Sequence, residues 1–128
     1  MGETREFHIG DVLSVTTDRL VSPRRMEGIY DILNFMAGES VYTHQIPRVG
    51  LEAAKTLVQQ HPFLSDINAK DISKENWRDW LDEIIAKYGE RLMIAPMTQD
   101  QHERIDPLSE LAEMFHPDQI IVVEPPHD

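Results

Sequence analysis

The stretch SKENWRDWLDEIIAKYGERLMIA, residues 73–95, decides the fold class. Trp77, Trp80, Leu81, Ile84, Ile85 and Tyr88 recur at the three- and four-residue spacing of a single helix face. Ser73 stands where a side chain caps a helix start, Lys87 where the helix dipole favours a cation, and Gly89 where a helix stops. Leu92-Met93-Ile94-Ala95 then reads as a strand ended by Pro96. A helix passing straight into a strand predicts a mixed protein.

Towards the C-terminus, Asp106 and Pro107 open a short helix with Leu108, Leu111, Ala112 and Phe115 inward. Pro117-Asp118 turns the chain into Ile120–Val123, a β-branched run closed by Pro125-Pro126. Helix, strand, helix, strand in that order predicts two parallel strands joined by a right-handed helical crossover. Towards the N-terminus, a helix is expected from Pro47 to about Gln60, with Leu51, Ala54, Leu57 and Val58 buried and Pro62 ending it. Gly50 weakens its first turn by about 1 kcal/mol relative to alanine. Another helix is expected to open at Ser22-Pro23, bury Met26, Ile29, Tyr30 and Leu33, and stop at Gly38. Arg24, Arg25, Glu27 and Asp31 then fall mainly in solvent. Val12, Leu13 and Val15 suit a helical turn or an extended segment equally, and Phe7-His8-Ile9 reads as a short edge strand. The expectation is an α+β fold, four or so helices packed on a small two- to three-stranded sheet, with residues 1–128 as a single domain.

Composition narrows the function classes. The 128 residues are 41% hydrophobic and include no cysteine, which excludes a disulfide framework and thiolate metal sites. The start, Met1 to Glu6, is polar and does not resemble a secretory leader. No unbroken apolar run is longer than Ile120–Val123, far short of a membrane span. A soluble, cytoplasmic protein with no membrane partner is expected.

Acids outnumber bases 23 to 12, unevenly: 8 against 6 in residues 1–60, and 15 against 6 in residues 61–128. That balance disfavours direct binding to nucleic acid or anionic membranes. It serves solubility, or it faces a basic surface on a partner protein. The candidates for such an acidic surface are Glu75, Asp79, Asp82, Glu83, Glu110 and Glu113.

Catalytic signatures are missing. His8, His44, His61, His102, His116 and His127 never pair at the three- to five-residue spacing that places two ligands on one helix face, so no metal site is expected. No serine sits in a Gly-x-Ser-x-Gly elbow, and the six glycines are scattered, so neither a nucleophile nor a phosphate-cradling loop is expected. No cofactor is implied. Trp77 and Trp80 belong to the core face of their helix, or to a binding surface if partly exposed. One stretch gathers binding chemistry: Tyr42, Thr43, His44, Gln45 and Arg48, at the entrance to a helix. Helix starts favour anions, and Arg48 offers a two-point fork for a carboxylate or phosphate. The other interpretation is a structured loop whose side chains tie two helices together.

The segments DVLSVTT (residues 11–17), YDILNFM (30–36) and THQIPR (43–48) resemble a family of small uncharacterised proteins encoded by bacteriophages and prophages. The resemblance covers residues 7–48 and implies a phage origin within a bacterial host, with no catalytic residues to carry over. Three functions follow as expectations. The first is a non-enzymatic accessory protein acting by protein–protein interaction, for instance by inhibiting a host defence or nucleic-acid-binding complex. The second is a small enzyme or ligand-binding module using the loop around His44 and Arg48. The third is a phage structural or assembly component, which would form a homo-oligomer.

Overall fold

In the computed structural model, which describes residues 3–114, the chain enters the core at Phe7. Strand β1 (Arg5–His8) leads directly into helix α1 (Ile9–Thr16). His8 Nδ1 accepts from the Gly10 N–H at 2.9 Å and so caps α1, which buries Ile9, Val12 and Leu13. Then come α2 (Met26–Ala37), α3 (Ile46–Gln60), α4 (Trp77–Tyr88), β2 (Arg91–Ile94) and α5 (Pro107–Met114). Tight 3-10 turns at Thr43–Gln45 and Pro62–Asp66 flank α3. The fold is α+β, with five α-helices among the described residues instead of about four.

β2 pairs with β1, antiparallel, with Arg5 opposite Ile94 and His8 opposite Arg91. The parallel pairing expected with Ile120–Val123 concerns a segment outside the described residues, as do Phe115, His116 and His127. β2 runs one residue earlier than its sequence suggested, because Ala95 turns to the Gln60 side chain, which takes both its N–H and its carbonyl at 2.9 and 3.0 Å.

α2 departs most from expectation. Ser22 does not cap it; its hydroxyl donates to Asp11 Oδ1 and accepts from the Arg24 N–H, and the helix begins only at Met26. Met26 is 42% exposed, and the core-facing side is Gly28, Ile32, Leu33, Met36 and Ala37. Gly28 explains this rotation. A Cβ there would collide with Asp11 Oδ1 and Ser22 Oγ, so a bare backbone is what lets α2 lie against the buried Asp11 of α1. Asp11 Oδ2 also accepts from Arg24 at 2.7 Å; Arg24 reaches Asp31 at 3.0 Å, and Arg5 reaches Asp31 at 2.7 Å. Of the four residues expected in solvent, Arg24, Arg25 and Glu27 are exposed, while Arg24 and Asp31 join Arg5 and Asp11 in a charge chain linking β1, α1 and α2. α2 stops at Gly38, whose left-handed φ of 70° suits glycine.

α3 is rotated too, whereas α4 turns its expected face to the core. α3 buries Val49, Ala53, Thr56 and Leu57, and leaves Leu51 67% exposed. In α4 only Leu81 is fully buried, while Trp77, Trp80, Ile84, Ile85 and Tyr88 are half-buried against the core. Ser73 lies four residues before its start, its Oγ accepting only from the Glu75 N–H at 3.3 Å. In α5, Asp106 Oδ2 caps as expected, accepting from the Ser109 N–H at 3.0 Å. Yet Leu108 is 77% exposed, and the residue facing inward is Glu110.

Candidate functional site

The loop singled out in the sequence spends most of its polar groups on other parts of the molecule. Tyr42 is exposed, its N–H held by Gln45 Oε1 at 3.0 Å, and the Thr43 hydroxyl meets the Tyr30 hydroxyl at 2.5 Å. His44 Nε2 is 2.9 Å from the Pro107 carbonyl oxygen. Gln45 Nε2 donates to the Ile105 carbonyl and to Glu110 Oε1 at 3.2 and 2.9 Å. Arg48 grips Glu110 through Nε and a terminal nitrogen at 2.7 and 2.9 Å. Its other terminal nitrogen donates to Glu52 and to the Glu103 carbonyl at 3.1 and 2.6 Å. The two-point fork therefore holds an internal carboxylate. Hydrogen bonds from Arg48, opposed by burial and helped by Gln45, hold the Glu110 carboxyl at about 2. His44 and Arg48 both bond to α5 and its approach segment; Arg48 also lines an open hollow of about 660 Å³ beside Glu52, Lys55 and Gln101, whereas His44 is not part of its wall.

A second clasp, missed in the sequence, lies beside it. His102, buried, sits with Nδ1 2.6 Å from Glu52 Oε1 and Nε2 2.6 Å from Glu39 Oε2. Arg104 adds hydrogen bonds to the Ala37 and Gly38 carbonyls at 3.4 and 3.3 Å. The partners are 50 and 63 residues from His102, a distance no local pattern reveals.

Of the proposed acidic surface, Glu75, Asp79, Asp82, Glu83 and Glu113 are exposed. Glu110 is not: it is 5% exposed and faces inward because Arg48 and Gln45 hold it there. Among the described residues no group of three or more His, Asp or Glu side chains is placed to hold a metal ion. No helix among them is long and apolar enough to cross a membrane.

The apolar faces inferred from spacing do exist, but part of each looks onto a groove. Ile29 and Leu33 of α2, Ile46, Leu51 and Ala54 of α3, and Val15 of α1 line an open groove of about 490 Å³. Gly50 opens onto it, and a Cβ there would meet nothing within 4 Å among the described residues. Thr16 also lines it, with its Oγ1 buried and without a hydrogen-bond partner among the described residues. At the α1 end stands Asp18, exposed and in no ion pair among the described residues. A helix C-terminus is itself partly negative, so that end of the groove favours positive charge.

The whole groove lies within residues 7–67, which match a family model described only as a domain of unknown function (DUF7736). The match contains the DVLSVTT, YDILNFM and THQIPR segments and carries no activity or origin with it. No curated protein and no solved structure matches the chain.

Proposed function

We propose that this chain is a non-catalytic binding module whose groove between α1, α2 and α3 takes an apolar segment of a partner protein flanked by lysine or arginine. The observation that carries the reading is Gly50. Glycine inside a helix costs about 1 kcal/mol relative to alanine. At Gly28 the crowding of Asp11 and Ser22 offsets that cost; at Gly50 nothing among the described residues does. A bare backbone facing an open groove gives a partner close approach. Leu51 adds exposed apolar area. Asp18 and the chain's net charge of −11 favour basic flanks on the occupant. In the phage setting that the sequence resemblance implies, the partner would be a host or phage protein with a basic surface, and occupying it would inhibit a defence or nucleic-acid-binding complex.

A peptide-display selection on the immobilised full chain tests this. The enriched peptides should combine two or more bulky aliphatic residues with lysine or arginine, and lose binding at least tenfold to Leu51→Asp and Gly50→Leu. Binding should persist to Glu83→Gln on the far acidic helix. Enrichment indifferent to both groove variants, or none at all, rejects the groove. A concentration-dependent dimer on size exclusion, abolished by Leu51→Asp, would instead make a second copy the occupant.

A further inference from the structure

Among the described residues of this acid-rich chain, one hollow is lined by three cations and by no carboxylate. Arg19, Arg25 and Lys74 surround a space of about 350 Å³ whose other walls include Leu20, Ser73 and Trp77. None of the three cations joins an ion pair among the described residues, whereas Arg5, Arg24, Arg48 and Arg104 all do. Glu27, Asp71 and Glu75 are close in sequence but do not line it.

Two further features point the same way. α2 and α4, each of twelve residues, both start beside this hollow, with Arg25, the residue before α2, and Trp77, the first of α4, in its wall, and neither has a side-chain cap bond. Helix starts carry partial positive charge, so they reinforce the three cations. Arg25 itself holds φ 59° and ψ −137°, a conformation that suits glycine and strains a residue with a side chain. The chain thus keeps a guanidinium at a position where glycine would relieve strain. A fourth cation, Arg78, lies 4.7 Å from the centre of the Trp77 ring.

We infer that this hollow binds a small phosphate monoester, its phosphate among Arg19, Arg25 and Lys74 and its organic part against Trp77 and Leu20. A phosphate carries close to two negative charges at neutral pH, which suits several convergent cations better than a single carboxylate does. An extended polyanion is disfavoured, because α4, which starts at the hollow, carries the exposed acids Asp79, Asp82 and Glu83.

The test is calorimetry with tryptophan fluorescence on the full chain, titrated with inorganic phosphate, phenyl phosphate and a single-stranded oligonucleotide, against sodium chloride of equal ionic strength. Phenyl phosphate should saturate at one per chain and bind at least tenfold tighter than inorganic phosphate. Arg25→Gly and Lys74→Met should each weaken it at least tenfold. Arg25→Gly should melt no lower than the parent without ligand, which separates lost binding from lost folding. A response no greater than that to chloride, or unchanged affinity in both folded variants, overturns the site. Tighter binding of the oligonucleotide than of phenyl phosphate overturns its restriction to small ligands.

Discussion

Arg48 and Glu110, 62 residues apart in sequence, meet as a two-point ion pair at 2.7 and 2.9 Å, and this contact fastens α5 to the body of the protein. The inward face of α5 is acidic where an aliphatic residue is ordinary, and Leu108 points outward. The segment from His102 to Glu110 is therefore held chiefly by polar contacts, which specify geometry and break as a set.

Removing one partner of that pair should cost more than removing both. Arg48→Met leaves the Glu110 carboxylate buried without its counter-charge and should destabilise the docked α5 by about 3 kcal/mol. Arg48→Met with Glu110→Leu should recover most of that loss. Arg48→Lys should recover little, because an ammonium cannot make the two-point contact. Hydrogen exchange at residues 102–114, read beside the global melting curve, measures each variant.

Acid should release α5 ahead of the core. The Glu110 carboxyl titrates at about 2 in the folded chain against an ordinary 4.5, so its contribution is complete above about pH 4.5 and is lost as the pH falls towards 2. Burial pushes Asp31 up, but hydrogen bonds from Arg5 and Arg24 prevail and hold it below its ordinary value, so its contribution fades in the same direction. A pH titration followed by backbone amide shifts should show α5 resonances moving before those of α1 and α3. Simultaneous loss of all three would contradict the polar clasp.

Leu81 is the one fully buried side chain of α4, so the docking of that helix should hinge on it. Leu81→Ala should cost about 3 kcal/mol from lost burial and the cavity left behind. An alanine at the exposed Asp82, one position along, should change stability by less than about 0.5 kcal/mol. Chemical denaturation of the two variants separates them.

How far the fold could be read from the chain follows from where each signal lies. α4 was legible because Trp77, Leu81, Ile84 and Tyr88 repeat within the helix itself, and the stops at Gly38 and Gly89 are local chemistry. The orientation of α2 was not, because it carries two overlapping apolar stripes and spacing favours the bulkier one, Met26 to Leu33. What chooses the other is Gly28 against Asp11, a contact from a different helix. Tyr42 to Arg48 is rich in hydrogen-bonding groups by its residue types alone. Its ligand proved to be the chain's own Glu110, and neither that partner nor the His102 clasp leaves a trace within any short window.

The two helical glycines should respond in opposite ways to one added methyl group. Gly28→Ala forces a Cβ against Asp11 Oδ1 and Ser22 Oγ, both buried and hydrogen-bonded, so α1 and α2 must separate. That should cost about 2–3 kcal/mol. Gly50→Ala meets nothing within 4 Å and gains helix propensity, so it should stabilise the isolated chain by up to about 1 kcal/mol. Thermal melts of the two variants give the sign directly. If Gly50→Ala were destabilising, the residue would have a structural reason of its own and the argument for a partner in the groove would lose its support. If it is stabilising, the native glycine sacrifices stability at the one point where the groove needs a bare backbone.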